Sequence, residues 1–267
     1  MHEVGTTNPG RWGRREMPTV GAIERISVGP LTVWITRVGD ELRVSHARAE
    51  HGVAPPIDPP DDIDWNRWSL RDVPHHLSVL PVFPDRPLLI KPDHSFTLMR
   101  MASARIYSRV PAWVRLQVVE TETGLASTLV ELPTETLSDT WWGDFVEGSL
   151  AYWLPTKARR ELRPDLFEPH LIICTLQLSN GSTDNLAVEQ LVLRVDHLSI
   201  FERPGELWGE EVVVEYQGES LGSDIRMEDL PPREAEGAVE ITPARAQSRG
   251  FRARTFARFM ALGGFRG

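Results

Sequence analysis

The chain has a single cysteine, Cys174, among its 267 residues, so no intrachain disulfide can form. Its longest apolar stretches, such as LIICTLQL from Leu171, fall far short of the ~20 residues that a membrane-spanning helix needs. The opening segment, residues 1–17, has no apolar run behind its charges, so we expect no secretory signal. Together these absences favour a reducing compartment, and we predict a cytoplasmic protein.

Sequence patterns of catalysis and metal binding are also missing. The chain has no phosphate-binding loop and no dinucleotide fingerprint, and no two histidines have the i, i+4 spacing for zinc on one helix face. Residues 218–222, GESLG, match a nucleophile elbow, but a turn-like segment follows and the last histidine, His197, precedes the serine. We predict a non-enzymatic protein with no catalytic residues, metal site or cofactor. An enzyme with a site assembled from distant loops is the open alternative.

Charge is distributed unevenly along the chain. The formal net charge is −9, from 29 basic and 38 acidic side chains. Residues 244–267 hold six arginines and no acid, so the rest of the chain carries 23 basic against 38 acidic groups, or −15. An acidic body repels nucleic acid, because duplex binding depends on clustered Lys and Arg that neutralise phosphates. We therefore exclude nucleic acid as a partner and expect the tail to attract an acidic one.

Short segments with apolar residues at every second position dominate the chain and predict β-strands. The clearest are Ile23–Val28 and Leu31–Val38, joined by a Gly-Pro turn, and Leu171–Leu178. Asn180-Gly181 signals a hairpin, because both residues tolerate positive φ. Helical periodicity is confined to residues 156–162 and 249–262. The pattern predicts a mostly-β protein with one large or two tandem antiparallel β-sandwich units and a short C-terminal helix or tail.

Proline-rich segments suggest how these units are divided. We place an approximate domain boundary near Pro133, which gives two β units of similar length. The predicted organisation is an N-terminal extension (1–20), a first β unit (21–132), a second β unit (133–235) and a basic C-terminal tail (236–267). One large sandwich is the alternative.

The adjacent tryptophans Trp141 and Trp142 lie between two acids, Asp139 and Asp144. Neighbouring residues of an extended segment face opposite ways, so one ring can fill a core while the other points outward or into a second unit. The first interpretation is a rigid corner with both rings as packing. The alternative is a stacking platform for a sugar, a base or a peptide. The nearby cations Lys157, Arg159 and Arg160 form either an ion-pair network or an anion site.

This central block resembles that of an uncharacterised prokaryotic family. The residues that carry the resemblance are LSDTWWGD (137–144) and GSLAYWLPTKARR (148–160), with GPLTVWITRVGDELRVSHAR and PAWVRLQVVE earlier in the chain. The family is the domain of unknown function numbered four hundred and thirty-two, and the similarity spans most of residues 25–215. The resemblance implies a widespread domain and no particular chemistry, so no functional residue is carried over.

The tail combines arginine with phenylalanine. On a helical wheel Phe256, Phe259 and Met260 share one side, and Arg254 and Arg258 lie opposite. Such a segment can dock on its own acidic body, insert into a partner protein or a neighbouring subunit, or contact an anionic membrane or a membrane protein.

Our leading hypothesis is a non-enzymatic interaction or regulatory protein that acts through this tail on a partner protein or a second subunit. The partner-binding candidates are Arg252, Arg254, Phe256, Arg258, Phe259 and Met260. The alternative is a β-sandwich that binds a small ligand, a sugar or an anion, at the Trp141/Trp142 corner. Its candidate residues are Asp139, Trp141, Trp142, Asp144, Lys157, Arg159 and Arg160.

Overall fold

The computed structural model describes residues 11–50, 53, 56–143, 148–246, 250–253 and 256–257, with the backbone alone for 251–253 and 256–257. The described residues are mostly β, which confirms the predicted fold class. The chain divides into two compact units. Unit 1 comprises Met1–Val82 and Ala112–Glu135, and unit 2 comprises Phe83–Pro111 and Thr136–Gly267.

The strands are numbered in chain order. The first eleven are β1 Gly13–Arg15, β2 Ile23–Val28, β3 Leu31–Val38, β4 Glu41–Arg48, β5 Asn66–Ser69, β6 His75–Val82, β7 Leu88–Ile90, β8 Phe96–Leu98, β9 Ser103–Pro111, β10 Trp113–Glu120 and β11 Ala126–Pro133. The others are β12 Ser138–Trp142, β13 Ser149–Trp153, β14 Leu171–Asn180, β15 Leu186–Val188, β16 Gln190–Leu193, β17 Ile200–Arg203, β18 Glu206–Gly209, β19 Val212–Gly218, β20 Gly222–Met227, β21 Val239–Thr242, β22 Gly250–Ala253 and β23 Phe256–Ala257. Short 3₁₀ turns occur at Pro164–Leu166, Val195–His197 and Arg233–Ala235.

The described residues of unit 1 form two four-stranded sheets, in the orders β2-β3-β4-β5 and β1-β6-β10-β11. The first is an antiparallel meander whose tight turns use Gly29 and Gly39 at positive φ, which suits glycine because it has no Cβ. Trp34 on β3 is fully buried, and its indole N–H donates to the Ile57 carbonyl over 3.0 Å. A buried indole needs such a partner, so this bond also ties the proline-rich segment to the sheet.

Unit 2 contains an eight-stranded sheet, a five-stranded sheet and a two-stranded pair. The longest strand, β14, pairs antiparallel with β9 along nine positions and parallel with β18 and β19. The five-stranded sheet has the order β12-β13-β7-β16-β23. A cavity of about 10 Å³ is lined by residues of β14, β19 and β20 and by residues of β16, so side chains of these two sheets meet there, which is consistent with a sandwich.

The division of the chain differs from the consecutive units expected at 21–132 and 133–235. Strand β9 ends at Pro111 and β10 begins at Trp113, yet β9 pairs with β14 of unit 2 while β10 pairs with β6 of unit 1. Residues 83–111 therefore belong to the second unit. The later change of unit falls between Glu135 and Thr136, close to Pro133. Strand pairing between distant segments sets this division, although its first boundary, between Val82 and Phe83, falls in the proline-rich segment 81–87.

Three local predictions are wrong. Within the segment 156–162, Ala158 and Arg159 form extended bridges with Pro92 and Tyr107 instead of a helix. In the predicted tail helix, residues 250–253 and 256–257 are strands, because sheet edges offer backbone partners that outweigh moderate amphipathicity. Asn180-Gly181 does not join two paired strands, since β14 pairs with β9, β18 and β19 whereas β15 pairs with β8.

The sheets are also mixed, with parallel pairs beside the expected antiparallel ones. No helix in the described parts of the chain is long and apolar enough to cross a membrane.

Candidate functional site

The two tryptophans lie on β12, which pairs antiparallel with β13. Trp142 is 7% exposed and packs in a small core with Leu89, Ala151 and Val192. Trp141 is 51% exposed. This confirms that the neighbouring rings point to opposite sides of the strand. The structure shows core packing for Trp142 and not for Trp141.

Trp141 shares its side of the β12–β13 ladder with Asp139, Leu150 and Tyr152. Trp141 stands opposite Leu150 and Asp139 stands opposite Tyr152, and directly opposed residues of an antiparallel pair share a face. Arg86, which precedes β7, reaches the same group. We call Arg86, Asp139, Trp141, Leu150 and Tyr152 the aromatic face.

Ionic and aromatic contacts fix the polar members of the aromatic face. Nη1 of Arg86 lies 2.8 Å from Oδ1 of Asp139, and the guanidinium stacks 5.1 Å from the centroid of the Tyr152 ring. The Tyr152 hydroxyl donates to Oδ1 of Asp85 over 2.9 Å. Burial, with the hydrogen bond to Asp85, raises the pKa of Tyr152 to about 12. The phenol therefore stays protonated at physiological pH, and the face presents a carboxylate and a guanidinium in set positions.

The predicted cationic cluster is engaged in other contacts. Nζ of Lys157 lies 3.8 Å from Oδ1 of Asp93, and Nη1 of Arg159 lies 2.6 Å from Oδ2 of Asp165. The guanidinium of Arg160 stacks 5.4 Å from the centre of the Phe96 ring. Lys157 and Arg159 thus form ion pairs, whereas Arg160 contacts an aromatic ring. These contacts give the cations partners other than the aromatic face, so the structure does not join the two groups into one ligand site. Asp144 lies outside the described residues.

The C-terminal candidates are described only in part. Backbone pairing places Arg252 opposite Asp224 on β20 and Phe256 opposite Leu191 on β16. Arg254, Arg258, Phe259 and Met260 lie outside the described residues. The first part of the tail is anchored: Nη2 of Arg245 donates to the Phe83 carbonyl over 2.9 Å, and the Ala246 N–H donates to the Asp196 carbonyl over 2.8 Å.

No three His, Cys, Asp or Glu side chains in the described ranges lie close enough together to hold a metal ion. Gly218 and Gly222 close the hairpin between β19 and β20, both at positive φ, so GESLG is a strand-to-strand turn and not a strand-to-helix elbow. Cys174 is buried on β14, and burial raises the pKa of its thiol, which keeps it protonated and unreactive.

The model of a family described as "Protein of unknown function (DUF432)" matches residues 11–261, nearly the whole chain. The chain belongs to the DUF432 family. Membership confirms the resemblance carried by the LSDTWWGD block and extends it beyond residues 25–215 at both ends. No curated protein and no solved structure matches the chain.

In this DUF432 member the sequence does not reveal two polar groups that the structure brings together. Arg86 lies 53 residues before Asp139, in a segment that reads as a proline-rich loop. In unit 2, Arg105 on β9 forms ion pairs with Glu211 at 2.6 Å and with Glu234 at 2.7 Å, across more than 100 residues of chain. Only strand pairing brings these residues together, and a single sequence carries no signal of it.

Proposed function

We propose that this protein is a non-enzymatic interaction protein that acts through its basic C-terminal tail on a second subunit. One observation carries the proposal: the tail supplies two strands to sheet edges. Residues Gly250–Ala253 extend the eight-stranded sheet along β20, and Phe256–Ala257 extend the five-stranded sheet along β16. A segment that adds strands through its backbone is a donor for strand addition, a recurrent mode of protein recognition.

The acceptor edge suits a basic donor. In register, Arg252 stands opposite Asp224, which itself stands opposite Glu215 on β19. Opposite charges that face each other across neighbouring strands are favourable, and Asp224 is the position that faces the arginine. The same edge is present on every copy of the chain. A second copy can accept the tail with the same register, which is how strand exchange builds a dimer.

The point of attachment supports an exchangeable arm. Arg245 and Ala246 are hydrogen-bonded to Phe83 and Asp196 within unit 2, so the arm begins from a fixed position. Among the described residues, the paired segments beyond it cover four and two residues. Ladders this short open at low free-energy cost compared with global unfolding, which allows a donor to move between acceptors.

Other partners are weaker candidates. Residues 1–243 carry a formal net charge of −15, which opposes contact with an anionic membrane surface and with nucleic acid. The six arginines of the tail would favour both contacts. A cytoplasmic location is part of the proposal. It rests on the lone cysteine, which is buried and suits a reducing compartment.

Charge reversal in the full-length protein tests the proposal. Arg254→Glu with Arg258→Glu should weaken self-association, measured by light scattering across a concentration series, and should reduce partner capture from native lysate. The matched control is Arg67→Glu with Arg100→Glu, which makes the same change in net charge at two exposed positions. If the tail variant assembles and captures partners as the parent does, the tail is not the functional element.

A further inference from the structure

The aromatic face has a composition that general packing does not require. Trp141 is 51% exposed and Leu150, directly across the ladder, is 42% exposed. Beside them the side chains of Asp139 and Arg86 are 60% and 36% exposed, although they form an ion pair. Exposed apolar side chains beside a few polar groups in fixed positions are a combination that small-ligand sites use.

The spacing on the strand defines the size of a ligand. Asp139 and Trp141 are two residues apart on one face of β12, so their Cα atoms are separated by ~6.8 Å. A six-membered sugar ring stacked on the Trp141 indole can span that distance and bring its hydroxyl groups to the ion pair. The Asp139 carboxylate accepts a hydrogen bond from one hydroxyl, and the Arg86 guanidinium donates to its neighbour.

The polar pair is already oriented. Arg86 is held by Asp139 at 2.8 Å and by the Tyr152 ring at 5.1 Å, and Tyr152 is in turn held by Asp85. The conformational entropy of the Arg86 and Tyr152 side chains is therefore already reduced before a ligand binds, which favours binding. The part of the indole that is exposed supplies an apolar surface against the C–H groups of a sugar ring.

The negative charge around the aromatic face favours a neutral ligand over an anionic one. The carboxylates of Asp85 and Asp139 outnumber the Arg86 guanidinium, and residues 133–156 hold four acidic residues and no basic one. An anionic sugar, a nucleotide or a phosphate would be repelled by this surface. The cations Lys157 and Arg159, which could offset that repulsion, are paired with Asp93 and Asp165.

We propose that the aromatic face binds a neutral saccharide, with one ring stacked on Trp141 and adjacent hydroxyl groups hydrogen-bonded to Asp139 and Arg86. The site is independent of the tail. A single stacked ring with two polar partners predicts weak binding, with Kd about 1–10 mM. Avidity toward a repeating glycan would come from several copies of the protein.

Saturation-transfer NMR with the full-length protein tests this proposal. The probes are glucose, galactose, mannose and N-acetylglucosamine, each titrated to about 50 mM, well above the expected Kd. At least one should bind. Trp141→Ala should weaken binding about tenfold or more, because stacking is lost. Asp139→Asn should weaken it about threefold to tenfold, because the carboxylate is lost and Arg86 loses its ion pair.

Two matched controls separate a site from non-specific contact. Leu230→Ala removes another exposed apolar side chain of unit 2, 65% exposed, and should leave binding unchanged. Glucuronate, in which a carboxylate replaces the C6 hydroxymethyl group of glucose, should bind more weakly than glucose. The proposal is overturned if none of the four sugars binds, if binding survives Trp141→Ala, or if glucuronate binds more tightly than glucose.

Discussion

The Arg105 cluster of unit 2 predicts a pH-dependent contribution to stability that Glu234→Gln removes. Glu234 accepts hydrogen bonds from Arg105 at 3.0 and 2.7 Å and from the Tyr107 hydroxyl at 2.9 Å. Burial opposes its ionisation, but the bonds from Arg105, from the backbone and from Tyr107 outweigh burial and lower its pKa from 4.5 to about 2. The carboxylate thus attaches the 3₁₀ turn Arg233–Ala235 to strand β9.

The magnitude follows from the pKa difference. A shift of that size corresponds to about 3 kcal/mol of unfolding free energy when the group is ionised in both states. Because the folded pKa is the lower one, this stability is present above pH 4.5 and is lost as the pH falls toward 2. Glutamine keeps a weaker acceptor, and Arg105 keeps Glu211, so Glu234→Gln should cost about 2–3 kcal/mol at pH 7.

The assay is urea unfolding of the parent and the variant at pH 7 and at pH 3. The difference in unfolding free energy should be about 2–3 kcal/mol at pH 7 and should fall to about half or less at pH 3. Glu236→Gln, an exposed carboxylate two residues away, is the matched control and should cost about 0.5 kcal/mol or less. Equal effects of Glu234→Gln and Glu236→Gln, or a difference that does not change with pH, would refute the reasoning.

Two further predictions concern buried side chains. Trp34→Phe should lower the unfolding free energy of unit 1 by about 1–3 kcal/mol, because the Ile57 carbonyl loses its donor and the smaller ring leaves a void. Thermal unfolding measures this loss, with the surface variant Trp141→Ala as the control. Cys174 should react with a thiol reagent only after denaturation, since it is fully buried and its thiol stays protonated; rapid labelling of the native protein would contradict its placement on β14.

The strands that the sequence predicts best are those joined by local turns. Ile23–Val28 and Leu31–Val38 have the predicted bounds, because a two-residue glycine turn and period-two alternation are both visible in one short window. The strand β12 was not predicted, because SDTWW has polar and turn-forming residues and forms a strand only through its pairing with β13. Tertiary pairing overrode local propensity there, as it did in the tail.

The candidate site, too, could be predicted from the sequence only in part. Opposite orientation of Trp141 and Trp142 follows from strand geometry alone and could be predicted. Which ring is buried depends on Leu89 and Val192, on strands far away in sequence. Arg86 could not be predicted as a member of the aromatic face, because its contact with Asp139 exists only after β13 pairs in parallel with β7.

Mixed cysteine cross-linking tests the central claim most directly. Ser223 and Ala253 are opposed in the β20–β22 pairing, so cysteines at the two positions are at disulfide distance. The full-length single variants Ser223→Cys and Ala253→Cys are co-expressed and oxidised, and the linked peptides are identified by mass spectrometry. The parent, whose only thiol is the buried Cys174, is the control. Strand exchange predicts a covalent dimer that links position 223 of one copy to position 253 of another. If the double variant forms this bond within one chain while the mixture yields no dimer, the tail serves its own chain alone and the proposed function is contradicted.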